Sequence, residues 1–141
     1  MEQMNEKIAK LKEIVAGSER MVFFGGAGVS TESGMRDPEE FYRFYKDKMI
    51  YQDAKPNMAH KKLAELEAQG KLAVIVTQNI DGLHQMAGSK NVIELHGSIH
   101  RNYCTKCHKF YDLDYIIQSD GVPKCSCGGI IKPDVVLYEE G

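Results

Sequence analysis

Four cysteines carry the most specific chemistry in this sequence. Cys104 and Cys107 are separated by two residues, Cys125 and Cys127 by one, and 17 residues lie between the pairs. Each pair sets two thiolates on one turn, and two such turns complete a tetrahedral shell of four sulfurs. Soft thiolate donors, with no carboxylate ligand close by, select zinc over magnesium or calcium. A shell closed by four protein ligands leaves no position for water, so the zinc expected here is structural. The run from Cys104 to His108 also spells C-x-x-C-H, the attachment pattern of c-type haem. That alternative needs an exported protein and leaves Cys125 and Cys127 without a purpose. Under the zinc reading His108 is a solvent-facing neighbour of the knuckle.

Three further segments hold candidate chemistry. Gly25-Gly26-Ala27-Gly28-Val29-Ser30 follows an apolar run and would let backbone N–H groups approach a diphosphate. As a dinucleotide fingerprint it is incomplete, because Thr31 holds the third glycine position and no acidic residue follows at the end of a second strand. A tight structural turn explains the same glycines. Gln78-Asn79-Ile80-Asp81 and His96-Gly97 each follow a short apolar run. Polar residues just past the carboxyl ends of parallel strands occupy the crevice where α/β folds bind ligands. A histidine there can serve as a general base near neutral pH. The plainer alternatives are turn or helix capping for Asn79 and Asp81 and a hydrogen-bonded structural role for His96. His60, His84 and His100 give no independent functional signal.

These segments must be positioned by the elements around them. Residues 2–16 read as an amphipathic helix, with Met4, Ile8, Leu11 and Val15 on one face and lysines opposite. Residues 20–24 form a buried strand that stops at the paired glycines. Residues 30–35 begin a short helix. A helix over 38–49 starts with Pro38 in its first turn and turns Phe41, Phe44 and Tyr45 inward. Another over 57–69 turns Ala59, Leu63 and Leu66 inward and closes at Gly70. Strands follow at 72–77 and 92–95. The alternation predicts an α/β fold, a partial Rossmann-like parallel sheet with flanking helices and a small four-cysteine zinc module. The expected division is 1–98 for the sheet domain, 99–132 for the zinc module and 133–141 for a return segment.

The chain has 141 residues, 43% hydrophobic and 27% charged, enough for one core with an appended module. A formal net charge of -2 gives no global sign of a nucleic-acid partner or an anionic membrane surface. No apolar run approaches the ~18 residues of a membrane span. The first 20 residues are charged throughout and lack the apolar core of a secretory signal, so a reducing, cytoplasmic setting is expected.

In combination the motifs are far more specific than singly. Gly26-Ala27-Gly28-Val29-Ser30 with Glu32-Ser33-Gly34, Thr77-Gln78-Asn79-Ile80-Asp81-Gly82-Leu83-His84, Glu94-Leu95-His96-Gly97, the four cysteines, and Pro133-Asp134-Val135-Val136-Leu137-Tyr138 occur in this order. The set resembles the sirtuins, NAD-dependent protein-lysine deacylases, from Met21 onward. The resemblance implies that Gly26, Ala27, Gly28, Ser30 and Gln78 contact NAD and that Asn79 and Asp81 line a nicotinamide pocket. It implies that His96 is the base that activates a ribose hydroxyl, and that Val135, Val136 and Tyr138 meet an acyl-lysine protein or peptide by strand addition. Zinc would hold the small module, away from the chemistry.

The sequence departs from the family pattern in several places. Gly34 passes directly to Met35-Arg36-Asp37, where sirtuins carry Pro-Asp-Phe-Arg and a long cofactor loop. Gly25 stands for a usual threonine, and Tyr138-Glu139 for Phe-Gly. Up to Gly141 the sheet lacks the later strands of the family, so an unpaired edge, an uncovered apolar face and self-association are expected. The alternative to a deacylase is a non-enzymatic, zinc-stapled module that offers residues 135–138 or its open sheet edge to a protein partner.

Overall fold

The computed structural model describes residues 2–25, 37–50 and 52–136. Helix α1, Glu2–Gly17, forms where the 3.6-residue periodicity places it. Its apolar residues Met4, Ile8 and Leu11 stay exposed, and only Val15 near its end packs against the sheet. Strand β1, Met21–Gly25, follows; the short helix expected over 30–35 lies outside the described residues.

Asp37 starts the next helix by accepting the N–H groups of Glu39 and Glu40, each at 3.1 Å. Helix α2, Pro38–Phe44, then widens into a π-helical turn, Tyr45–Met49. The single helix expected over 38–49 is thus in two parts, and its inward face differs. Phe41, Tyr42 and Tyr45 are buried, while Phe44 is exposed. Tyr42 is drawn inward because its hydroxyl donates to the Ile131 carbonyl, far along the chain.

Helix α3, Met58–Ala68, is capped by the Asn57 side chain, which accepts from the N–H groups of Ala59 and His60 at 2.9 and 3.2 Å. Leu66 faces inward with Leu63, whereas Ala59 is exposed. Strand β2, Leu72–Thr77, is followed by the short helix α4, Leu83–Met86, and strand β3, Val92–Glu94. The three strands form a parallel sheet in the order β1-β2-β3, in which Gly25, Thr77 and Glu94 stand in register. Leu66 of α3 packs with Leu72 and Ile75, and Phe23 and Val92 join them on that face. On the opposite face, among the described residues, Val22 is 65% and Ile93 49% exposed, an apolar side left open.

A second sheet, antiparallel, has the order β5-β4-β6. It is built from β4 (Gly97–Cys104), β5 (Phe110–Tyr111) and β6 (Ile131–Val135), with helix α5 (Leu113–Gln118) beside it. Its core of Ile99, Ile116, Ile131 and Val135 is continuous with the aromatic cluster of Phe41, Tyr42 and Tyr45. Among the described residues no helix is long and apolar enough to cross a membrane.

The β4–β6 ladder is interrupted in one place. Gly97 pairs with Val135 and Ser98 with Asp134, but the next pair is Asn102 with Pro133. Ile99, His100 and Arg101 therefore bulge out of the ladder with no residue opposite. The fully buried Asn102 braces the bulge by donating its amide to the Ile99 carbonyl at 3.1 Å. Gly97 has a φ of 80°, and a Cβ there would stand 1.8 Å from the Asp134 carbonyl oxygen. Any side chain must push β4 and β6 apart. Gly97→Ala is expected to destabilise the chain by about 3 kcal/mol or more in urea unfolding. Gly70→Ala, at a φ of 75° but with open space around it, is expected to cost only about 1 kcal/mol. Equal losses would show that the close approach at Gly97 is not the constraint.

Candidate functional site

The register of the parallel sheet sets the site. Because Thr77 and Glu94 are level in parallel strands, the residues that follow each of them leave the sheet at the same end, that of Gly25 in β1. This is the carboxyl edge at which α/β sheets bind ligands. Gln78, Asn79, Asp81 and His96 are all half-buried there. Gly26, Ala27, Gly28 and Ser30, which continue from β1, lie outside the described residues, as does Tyr138.

Local hydrogen bonds shape the segment after β2. Thr77 Oγ1 accepts the Asn79 N–H at 3.0 Å, and Asp81 Oδ1 accepts the Leu83 N–H at 3.0 Å. Asp81 therefore has the capping role that its position before α4 allows. The bulge of β4 holds the same segment from the other side. Ile99 N–H donates to the Ile80 carbonyl at 3.1 Å, and His100 Nε2 donates to the Asp81 carbonyl at 3.0 Å. Beneath them His84 is buried, with the rings of Phe23 and His60 at 6.0 and 4.8 Å. Burial first, and the neighbouring His60 second, hold the His84 imidazole below its ordinary pKa, against the opposing pull of Asp81.

His96 sits between β3 and β4, and its carbonyl accepts the Val136 N–H at 2.9 Å. Val135 is buried and Val136 is 53% exposed. A groove of about 400 Å³ is lined by Glu94, His96, Arg101, Asp134, Val135 and Val136. The structure thus brings His96 and the two valines together on one concave surface, although 38 residues lie between His96 and Val135.

The sequence offers no sign of Arg101. Its guanidinium donates to Glu94 from Nη1 at 2.8 Å and to Asp134 from Nε at 2.9 Å. Both bonds, the one to Glu94 first, raise its pKa. Only the β4 bulge turns Arg101 toward these two strands, and bulges leave no mark in residue periodicity. His100 was silent for the same reason.

The four cysteines form a second, separate centre. Their sulfurs lie within 4.8 Å of one another, with Cys104–Cys127 and Cys107–Cys125 both at 3.5 Å. Four sulfurs about 2.3 Å from a zinc ion stand roughly 3.8 Å apart, so the group has the size that tetrahedral zinc needs. The Lys106 N–H donates to Cys104 Sγ at 3.3 Å and the Tyr111 hydroxyl to Cys125 Sγ at 3.0 Å. The backbone N–H of Cys127, then the Tyr111 hydroxyl, hold the Cys125 thiol down to about 5, which favours the thiolate that a metal requires. Gly129 completes the cradle, since a Cβ there would meet Cys104 Sγ at 2.5 Å. His108 is exposed and stands off this shell.

The Sir2 family profile matches residues 35–141. The chain is 58% identical to an NAD-dependent protein deacetylase of Clostridium perfringens, over 97% of this chain and 69% of the relative. It is 56% identical to a protein of the same name from Clostridium acetobutylicum, over 96% and 69%. A solved Sir2 structure with a p53 peptide and NAD+ superposes with a TM-score of 0.81 at 37% identity, covering 94% of this chain and 65% of that one. The chain therefore spans about two thirds of the length of these proteins. Both Clostridium alignments run over 168 positions, more than the 141 residues here, so each relative carries residues with no counterpart in this chain.

Purified chain is expected to carry one zinc per molecule, released on modification of its thiols. Cys127→Ser, or chelation, should lower Tm by about 10 °C, the shift that roughly 3 kcal/mol gives a chain of this size. Zinc-free protein that melts at the same temperature before and after chelation would contradict this.

Proposed function

Since this chain belongs to the Sir2 family, we propose that its function is NAD-dependent removal of acyl groups from lysine side chains of proteins. The observation that carries this reading is the shared groove. His96, at the end of β3, and Val135-Val136, at the end of β6, face one cavity beside the level ends of three parallel strands.

Each residue has a distinct task in this scheme. Val135 and Val136 offer extended backbone to an acyl-lysine peptide, and Tyr138 continues that contact. Gly26, Ala27, Gly28 and Ser30 follow β1 and present backbone N–H groups to a diphosphate. Gln78 joins them from the neighbouring strand end, and Asn79 and Asp81 line the nicotinamide side. NAD, when bound, supplies the anomeric carbon to which the acyl oxygen adds as nicotinamide leaves, and the ribose that carries the acyl group away. His96 accepts a proton from a ribose hydroxyl, a task suited to an imidazole near neutral pH. Cys104, Cys107, Cys125 and Cys127 hold zinc as a structural staple, since four protein sulfurs leave no open position for chemistry. A reducing cytoplasm keeps those sulfurs available as thiolates. The open sheet face with Val22 and Ile93 supports self-association.

A second reading draws on the longer alignments. The family match begins at residue 35, next to the junction of Gly34 and Met35 where a cofactor loop would stand. A chain without that loop would retain the peptide groove as a zinc-stapled binding module. Titration of NAD into zinc-loaded protein separates the two. Deacylation predicts micromolar binding, weakened at least about tenfold by Asp81→Ala, together with NAD-dependent loss of acetyl from a lysine peptide that His96→Ala reduces at least about a hundredfold. Peptide binding that ignores NAD, with no turnover, would favour the binding module and sink the enzymatic reading.

A further inference from the structure

We propose that Arg101 is a positioning residue that sets the width of the peptide groove, an inference that rests on the reading of that groove given above. Three strands meet around it. Glu94 ends β3, two residues before His96. Asp134 lies on β6, one residue before Val135. Arg101 belongs to the β4 bulge between them and binds both carboxylates, at 2.8 and 2.9 Å.

The bulge makes this side chain necessary. Ile99, His100 and Arg101 face no residue of β6, so three positions of the ladder contribute no backbone pairing there. Arg101 spans the gap with its fork of donors, which a planar guanidinium can aim at two acceptors at once. The Glu94 side chain is only 10% exposed, so its charge depends on the partner that faces it. Releasing Arg101 removes the partner that faces Glu94 and the side-chain tie between Glu94 of β3 and Asp134 of β6. The ladder pairs Gly97–Val135 and Ser98–Asp134 and the bond from the Val136 N–H to the His96 carbonyl then remain to hold the two rims.

Arg101 also stands between two cavities. The groove with His96 and Val136 lies on one side, and a hollow of about 450 Å³ lined by Gly82, Gln85, Met86 and Ser98 lies on the other. The Arg101–Glu94 pair is common to the lining of both. A residue at a partition fixes where a bound chain can run without touching the reacting atoms.

The test compares zinc-loaded wild type with Arg101→Met, of similar length without charge, and Arg101→Lys, which can satisfy one carboxylate. Binding of an Nε-acetyl-lysine peptide and amide exchange by NMR are measured on each. Arg101→Met is expected to weaken peptide binding about tenfold and to speed exchange at Val136 by a similar factor, with Arg101→Lys in between. Exchange at Ile75, in the centre of the parallel sheet, should not change. Unaltered exchange at Val136, or equal acceleration at Val136 and Ile75, would overturn the proposal, the latter by showing a general loss of stability. Should Arg101→Met not fold, Arg101→Lys carries the same contrast. If the wild type binds no peptide, the reading of the groove fails, while the contrast between Val136 and Ile75 still decides what Arg101 holds.

Discussion

The close approach of β4 and β6 at Gly97 is the constraint on which the candidate site depends. A Cβ at that position would sit 1.8 Å from the Asp134 carbonyl oxygen, so the two backbones touch where no other residue lets them. This contact lies one residue after His96 and one before Val135 in the respective strands. It turns two segments distant in sequence into the two rims of one groove. At the other end of the same ladder Cys104 pairs with Ile131, and Cys104 belongs to the four-sulfur centre. The metal site and the groove are thus opposite ends of a single pair of strands.

This arrangement gives zinc a clear physical role without a place in the reaction. The antiparallel sheet is small, and β5 has only two residues. Small sheets of this kind bury too little to stand alone, and a metal commonly supplies what the core cannot. The aromatic cluster of α2 adds to it, since Phe41, Tyr42 and Tyr45 pack into the same core and the Tyr42 hydroxyl binds the Ile131 carbonyl. The parallel sheet has its own core on the α3 side, centred on Leu66, Leu72 and Ile75. Ile80, between Asn79 and Asp81, packs against the first of these two cores.

Much of this was legible in the sequence, because local chemistry fixed it. Strand β2 came from an unbroken apolar run, α3 from its apolar spacing and Gly70 stop, and the sulfur centre from the spacing and chemistry of the cysteines. The convergence of His96 with Val135 and Val136 came through family resemblance, since no local pattern links residues so far apart. What escaped was set by tertiary contact. Periodicity turns Phe44 inward and says nothing of Tyr42, yet Phe44 is exposed and Tyr42 is buried, its hydroxyl bound to the Ile131 carbonyl. Ala59 has helical spacing with Leu63 and Leu66 yet lies at the exposed end of its helix. Arg101 gains its partners only through a bulge, which periodicity does not record.

The coupling between the sulfur centre and the groove can be measured directly by hydrogen–deuterium exchange along the chain, before and after zinc is removed by chelation. If one strand pair joins the two, protection falls in 97–104 and 131–136 together, at His96 and Val136 as well as beside the cysteines, while Leu72–Thr77 stays protected. Loss confined to residues around the cysteines, with Val136 unchanged, would show that the groove stands independently of the metal site and would contradict this view of the fold.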